Sequence, residues 1–329
     1  MKQQTVDDVA ALAQQTYADS KAYAVNSYDG MDRITFSEMA GEAWTGKGQQ
    51  YRYTGNAANS VRLYQAPLDK LSLVNAGYYQ PNTLQGKTVT DADGHTMTTF
   101  TDKLGRKVLE RRHDGKQDND TYYVYNDLGQ LRYVLSPDYQ KAGYKGKYAY
   151  EYRYDERGNV VKKLLPGCSY TQYWYDRGNR LTFLQDATLR ERGNYRFMLY
   201  DKMGRLAVQG TCADCIRSSQ PNTVVYAPGE GIGQTGYQAA LPDNISKARL
   251  ETVNYYDDYA FLDRYSSELG MVKSDFQLKR GNATGLQTGC LQTTNTGDRL
   301  LNVYWYDAKG RLTDSRSLYI GKRLTACHT

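Results

Sequence analysis

The residues best placed to do chemistry are acids that return in one setting. Asp29, Asp102, Asp155, Asp176, Asp201 and Asp307 close stretches such as "YRYDERGNV", "YWYDRGNRL" and "MLYDKMGRL". Asn126 holds the same place in "YVYNDLGQL", and Asp257 in the degraded copy "NYYDDYAFL". Two carboxylates about 5–10 Å apart across a cleft could cleave a glycosidic bond. Catalysis would employ two of these acids, whereas the recurrence involves all of them. An acid at the first position of a turn accepts the N–H two residues on, and that role explains the whole set.

Other chemistry-bearing residues are scattered. Cys212 and Cys215 ("CADC") offer half a zinc site or a redox pair, but zinc needs four ligands. The nearest other cysteines are Cys168 and Cys290, and no histidine lies near in sequence. The plain reading is two thiols on a turn after a strand. "GEGIGQTG" contains G-x-G-x-x-G at Gly231, Gly233 and Gly236. A dinucleotide site needs a helix to open there, and Pro242 leaves room for barely a turn. His95 sits in the hairpin-like "DADGHTMT", His113 in the charged "ERRHDGK" and His328 beside Cys327. None sits in a recognisable catalytic context. No catalytic residue, metal or cofactor is therefore expected, and the chain reads as a non-enzyme.

The elements that position the acids are strands. In "YAYEYRYDERGNV", Tyr148, Tyr150, Tyr152 and Tyr154 fall on every second position, the spacing of a strand with one ring-bearing face. The glycine after the acid (Gly105, Gly129, Gly158, Gly178, Gly204, Gly310) supplies the positive φ of a type I turn with a bulge. Seven of the eight copies keep this residue, with Asp32 standing in for it in the first. Each unit is thus a hairpin. The acids and Asn126 from 102 to 201 are spaced by 24, 29, 21 and 25 residues. Propeller blades recur at about 40–45, so the expected fold is all-β: antiparallel hairpins adding to a long curved or spiralling sheet, each resting on its neighbours.

The organisation expected is an N-terminal segment over 1–25, repeat sheet over 26–210, a loop-rich insertion over 211–250 and repeat sheet over 251–329. A helix is expected near Asp7 or Asp8. Residues 281–298 read as loop with a short strand at most. The 329 residues carry 42 basic and 36 acidic side chains, net +6. The charges are dispersed, which argues against nucleic-acid binding. Mean hydropathy is −0.74, yet 12% of residues are aromatic and 32 are tyrosine, so the chain is ordered through amphipathic rings. The N-terminal "MKQQTVDDVAALAQQ" has no apolar core of a signal peptide. No eighteen-residue apolar window exists for a membrane span.

The Y-D-x-x-G-R series resembles the RHS/YD-repeat superfamily. "DNDTYYVYNDLGQLRYVLSP" (118–137), "KLLPGCSYTQYWYDRGNRLTFLQDATLRERGNYRFMLYDKMGRLAVQG" (163–210) and "ETVNYYDDYAFL" (251–262) resemble RHS-repeat proteins of Bacteroidetes-type bacteria. The resemblance covers the chain from about residue 26. It implies a sheet spiralling into a hollow shell around a toxin or effector polypeptide, in proteins that are secreted or delivered to a cell surface or target cell. No Asp-Pro-x-Gly, the motif beside which complete members cleave themselves, occurs here. The expectation is a fragment or short relative of such a shell.

The aromatic rows leave three readings. Tyr173, Trp174, Tyr175, Tyr304, Trp305 and Tyr306, with the four tyrosines from 148 to 154, could form cross-strand ladders, line a surface for a polypeptide, or stack on sugars. A shell predicts stacked hairpins without a compact pocket. A glycan binder predicts exposed, coplanar Trp174 or Trp305, and an enzyme predicts convergent His, Asp or Cys side chains. Unpaired strands at the ends of such a sheet would invite self-association unless a segment such as the N-terminal stretch covers them.

Overall fold

The computed structural model describes residues 3–17, 21, 23–68, 72–143, 145–213, 224–227, 231–232, 235–239, 248–265, 283–320 and 327–328. It is predominantly antiparallel β, as the sequence predicts, and divides into two compact units: Met1–Arg153 with Leu164–Cys168, and Tyr154–Lys163 with Ser169–Thr329.

The first unit opens with α1 (Gln3–Tyr17), which starts earlier than Asp7. Its sheet then uses β1 (Val25–Tyr28), β2 (Ile34–Glu38) and β3 (Gln49–Gly55). The hairpin of β4 (Arg62–Gln65) and β5 (Val74–Tyr78) stands outside the sheet. Next come β6 (Gln85–Thr90), β7 (Thr96–Thr101), β8 (Lys107–His113), β9 (Asp118–Tyr125) and β10 (Leu131–Leu135). Two short helices, α2 (Pro137–Ala142) and α3 (Lys145–Tyr148), lead to β11 (Ala149–Tyr154). Neighbours pair in the order β1–β2–β3–β6–β7–β8–β9–β10–β11. One face of this sheet is apolar. Phe100, Leu109, Tyr122, Val124 and Leu135 are buried there against Val61, Ala66 and Tyr139, which the β4–β5 hairpin region and α2 supply.

The second unit holds β12 (Val160–Leu164) apart from Leu164 itself, then β13 (Tyr170–Tyr175), β14 (Leu181–Gln185), α4 (Ala187–Glu191), β15 (Asn194–Tyr200) and β16 (Leu206–Ala213). A small hairpin, β17 (Val224–Tyr226) with β18 (Tyr237–Ala239), follows. The sheet continues through β19 (Arg249–Asp257), a 3-10 helix over Ala260–Tyr265, β20 (Ala283–Thr293), β21 (Arg299–Tyr306), β22 (Leu312–Ile320) and β23 (Cys327–His328). The order is β13–β14–β15–β16–β19–β20–β21–β22–β23. Its apolar face gathers Phe197, Leu199, Val208, Val253, Leu301 and Leu318. The 3-10 helix and the β17–β18 hairpin pack on it through Phe261, Leu262, Tyr265, Val224 and Tyr237.

Several expectations are corrected. Residues 283–293 form an eleven-residue strand, the longest described, where a loop was expected. The run "ATGLQTGCLQT" is rich in Gly, Thr and Gln, and its strand conformation comes from pairing with β19 and β21. Tyr148 ends α3, so the strand in the stretch of four tyrosines begins one residue later, at Ala149. Cys212 is no free thiol on a turn: it is buried within β16 and disulfide-bonded. Cys215 and Gly233 lie outside the described residues. Gly231 and Gly236 take positive φ between β17 and β18, and residues 237–239 form a strand where a dinucleotide site needs a helix.

Candidate functional site

The repeated acids build one kind of turn. At Asp29, Asp91, Asp102, Asn126, Asp155, Asp176, Asp201 and Asp307 the side-chain Oδ1 accepts two backbone N–H groups. One comes from two residues on, at 2.8–3.1 Å. The other comes from four residues on, at 2.8–3.0 Å. The residue three on takes the left-handed conformation: Asp32, Gly94, Gly105, Gly129, Gly158, Asn179, Gly204 and Gly310 all have positive φ. In the Asp176 copy this slot belongs to Asn179 (φ 60), not to Gly178. Gly178 sits one position earlier and donates its N–H to Asp176. Asparagine tolerates this region, so the glycine there is not the turn's requirement.

The second carboxylate oxygen takes the residue four on. In five turns that residue is arginine, whose Nε reaches Oδ2 at 2.7–2.9 Å. Elsewhere the pair changes chemistry together. Asn126 donates to Gln130 at 2.8 Å, Asn159 donates to Asp155 at 3.0 Å, and Asp91 faces His95. A ninth turn, which the sequence did not disclose, has Thr294 in the acid's place, with Gly297 and Asp298 following. The Asp91 turn was likewise absent from the repeat series. Asp91, Asp93 and His95 bring three ligand atoms within 4.8 Å of one another, but all three residues are exposed and Asp91 Oδ1 is occupied by the turn.

At Asp29 and Asp102 these contacts lower the pKa. The Arg33 guanidinium, then the Arg33 N–H, hold Asp29 below the ordinary carboxylate range. At Asp102 burial pushes upward, but the hydrogen bonds from Arg106 and Leu104 outweigh it and the net direction is down. A carboxylate whose folded pKa is depressed contributes stability above its unfolded pKa, near 3.9, and loses that contribution as pH falls through the folded value. Asp102→Ala is expected to cost about 1–2 kcal/mol near pH 7. Asp102→Asn keeps the Oδ1 acceptor, as Asn126 does naturally, so it should cost less and reduce the stability lost below about pH 4. Urea denaturation from acid to neutral pH would check both, and an unchanged acid limb in Asp102→Asn would reject the assignment.

A tyrosine, in five of six cases the one directly before the acid or Asn126, connects one hairpin to the last. Tyr53, Tyr125, Tyr175, Tyr200, Tyr256 and Tyr306 each donate their hydroxyl to a backbone carbonyl 15–50 residues earlier, at 2.6–3.2 Å. In five of these the acceptor directly follows the last residue of the preceding turn, an arginine in four and Asn159 in the fifth: Ile34, Lys107, Val160, Leu181 and Leu206. Four rings also lie beneath that turn's guanidinium, Arg33 on Tyr53, Arg106 on Tyr125, Arg180 on Tyr200 and Arg205 on Tyr256, at 4.2–4.9 Å. Tyr200→Phe keeps the ring and loses the bond to Leu181, so it should cost about 1 kcal/mol. Thermal denaturation that placed Tyr200→Phe level with wild type would remove the hydroxyl from the account.

The aromatic rows therefore split between two faces. Tyr304 and Tyr306 are partly exposed, and Trp305 between them is 3% exposed and stacked on Tyr259 at 6.2 Å. Trp174 packs on the core while Tyr175 bonds to Val160. In β11, Ala149 and Glu151 are buried, and Tyr150 and Tyr152 alternate with them on the more exposed side. Neither tryptophan offers the exposed platform expected of a glycan binder. The Asp257 copy makes no hairpin turn. Its carboxylate takes both terminal nitrogens of Arg205, at 2.9 and 2.6 Å. Beside it lies a cleft of about 380 Å³, a feature not expected of a plain repeat sheet.

The sequence matches no family model and no curated protein. Among solved structures it is similar to a crystal structure of TcdB2-TccC3, at 12% identity and TM-score 0.40 over 91% of this chain. It is also similar to the Photorhabdus luminescens Tc holotoxin pore, at 11% identity and TM-score 0.40 over 91% of this chain. A third likeness is TcdB2-TccC3 without its hypervariable C-terminal region, at 12% identity and TM-score 0.40 over 89% of this chain. The chain spans 15%, 14% and 14% of those chains, respectively.

Proposed function

We propose that this chain is a non-enzymatic structural module, a length of RHS/YD-repeat sheet from a shell that encloses or presents a toxin or effector polypeptide. The observation that supports it most is that the repeat's chemistry is used internally. Each turn acid is engaged by its own backbone and, in five turns, by the arginine four residues on, and the bonded tyrosines by the preceding hairpin. Side chains committed to holding hairpin to hairpin serve extension of a sheet. The partners proposed are the rest of the shell and the enclosed polypeptide. Self-association through β1 is a further part of the reading, since its four residues are exposed and only β2 pairs with it among the described residues.

Co-expression with the polypeptide encoded beside this chain tests enclosure. The neighbouring polypeptide should survive protease in the assembled product, and be digested once Asp201 and Asp307 are replaced by alanine. Equal digestion in both cases would reject enclosure.

A further inference from the structure

Where the repeat loses its turn, the second unit gains a cavity. After Tyr256 the chain does not fold back on itself. Asp257 takes φ 74, a conformation uncommon outside glycine and often held where a site needs it. Arg205 and the Gly285 N–H fix its carboxylate. The Asp258 side chain accepts the Ala260 N–H at 2.9 Å, which starts the 3-10 helix. That helix leaves the cleft of about 380 Å³, lined by the buried Tyr237, Tyr255 and Phe261 and by the more exposed Val225 and Tyr226.

The charges at the cleft are uneven. Asp201, Asp257 and Asp258 stand against Lys202 and Arg205, so the lining is net acidic by one. Arg205 is committed to Asp201 and Asp257. That leaves Asp258, exposed and holding only the Ala260 N–H among the described residues, as the acid available to an incoming group. Aromatic walls with a carboxylate at the mouth favour a cation on an apolar stem, because ring faces and a carboxylate both attract positive charge while the stem covers apolar surface. An anion would meet the excess acid.

We propose that this cavity receives a basic side chain, arginine or lysine, from a polypeptide partner, with its stem along Val225 and Tyr226 and its charge at Asp258. The site would give the unit a side-chain-specific hold on a polypeptide, which no hairpin repeat provides by itself. The inference does not rest on the shell reading, because it concerns the second unit alone and is tested without any neighbouring polypeptide.

The probe is the peptide acetyl-Gly-Arg-Gly-amide, with its citrulline twin as a neutral isostere, followed by NMR titration of the whole chain. The arginine peptide should bind in the millimolar range and at least about fivefold more tightly than the citrulline peptide. Asp258→Asn, which keeps an acceptor for Ala260, should erase most of that difference. Lys202→Ala should tighten arginine binding about twofold or more by removing a like charge. Equal binding of the two peptides would make the cleft merely apolar and overturn the proposal. So would no binding of either up to roughly 10 mM, or an Asp258→Asn variant that binds arginine as wild type does.

Discussion

Replacing Tyr255 with alanine is expected to destabilise the second unit by about 3–5 kcal/mol, the range for deleting a large buried aromatic ring. Tyr255 is 2% exposed. Its ring stacks on Phe261 with centroids 4.2 Å apart and planes 6° from parallel, and on Tyr237 at 5.7 Å. Tyr226 and Tyr265 meet it edge-on. Burial pushes its hydroxyl far above the usual tyrosine range, as expected of a group kept neutral in the interior. That hydroxyl is paired with Tyr265 at 2.8 Å and donates to the Thr235 carbonyl at 3.2 Å. Without the ring, the 3-10 helix loses the surface on which Phe261 rests. Tyr255→Phe separates the two contributions, since it keeps the stacking and should cost about 1–2 kcal/mol through the lost hydroxyl. Chemical denaturation of both variants gives the energies, and hydrogen exchange over 260–265 shows whether the helix opens first. A cost below about 1.5 kcal/mol for alanine would mean that the aromatic cluster does not anchor this segment.

What the sequence disclosed follows the range of the interaction that writes it. The turns were legible because acid, left-handed residue and the residue that engages the acid lie within five positions of one another. The same local reading assigned the bulge residue of the Asp176 copy to Gly178, because glycine outweighs asparagine in any propensity argument, although the geometry needs the residue one further on. The Thr294 turn was missed because its acceptor is a hydroxyl and its charged residue comes last. The tyrosine bonds were out of reach: Tyr256 donates to Leu206 across 50 residues, and no spacing in the chain marks the pair. Likewise, alternation says that Tyr304, Trp305 and Tyr306 take opposite faces, but only the packing says that tryptophan goes in. The strand β20 owes its length to neighbours on both sides, which a composition of Gly, Thr and Gln cannot announce. The cleft is legible afterwards as the consequence of a missing glycine at the Asp257 copy, yet its walls come from separate segments spread between Asp201 and Phe261.

Arg205→Ala should cost about 2–3 kcal/mol, whereas the same change at Arg311, its counterpart in the last turn, should cost below about 0.5 kcal/mol. Both arginines donate Nε to their turn acid at 2.7 Å. They differ in what else they hold. Arg311 is 72% exposed, and its pairing is local. Arg205 is 23% exposed and forks onto Asp257, at 2.9 and 2.6 Å, with its guanidinium over the Tyr256 ring at 4.2 Å. It therefore ties a hairpin turn to a strand 52 residues later, and it balances two carboxylates that would otherwise repel. Its hydrogen bonds hold Asp257 below the ordinary carboxylate range. Removing it should raise the Asp257 pKa toward its unfolded value, so the variant keeps less of the acid-labile stability that wild type shows above about pH 4. Arg205→Lys retains the charge without the fork and should fall between the two. If thermal and urea denaturation gave Arg205→Ala and Arg311→Ala the same small cost, the bases of the repeat would act only within their own turns. A large difference would assign Arg205 to the point where the repeat gives way to the cleft, because the backbone of Asp257, held at φ 74, keeps that conformation only while its carboxylate is anchored.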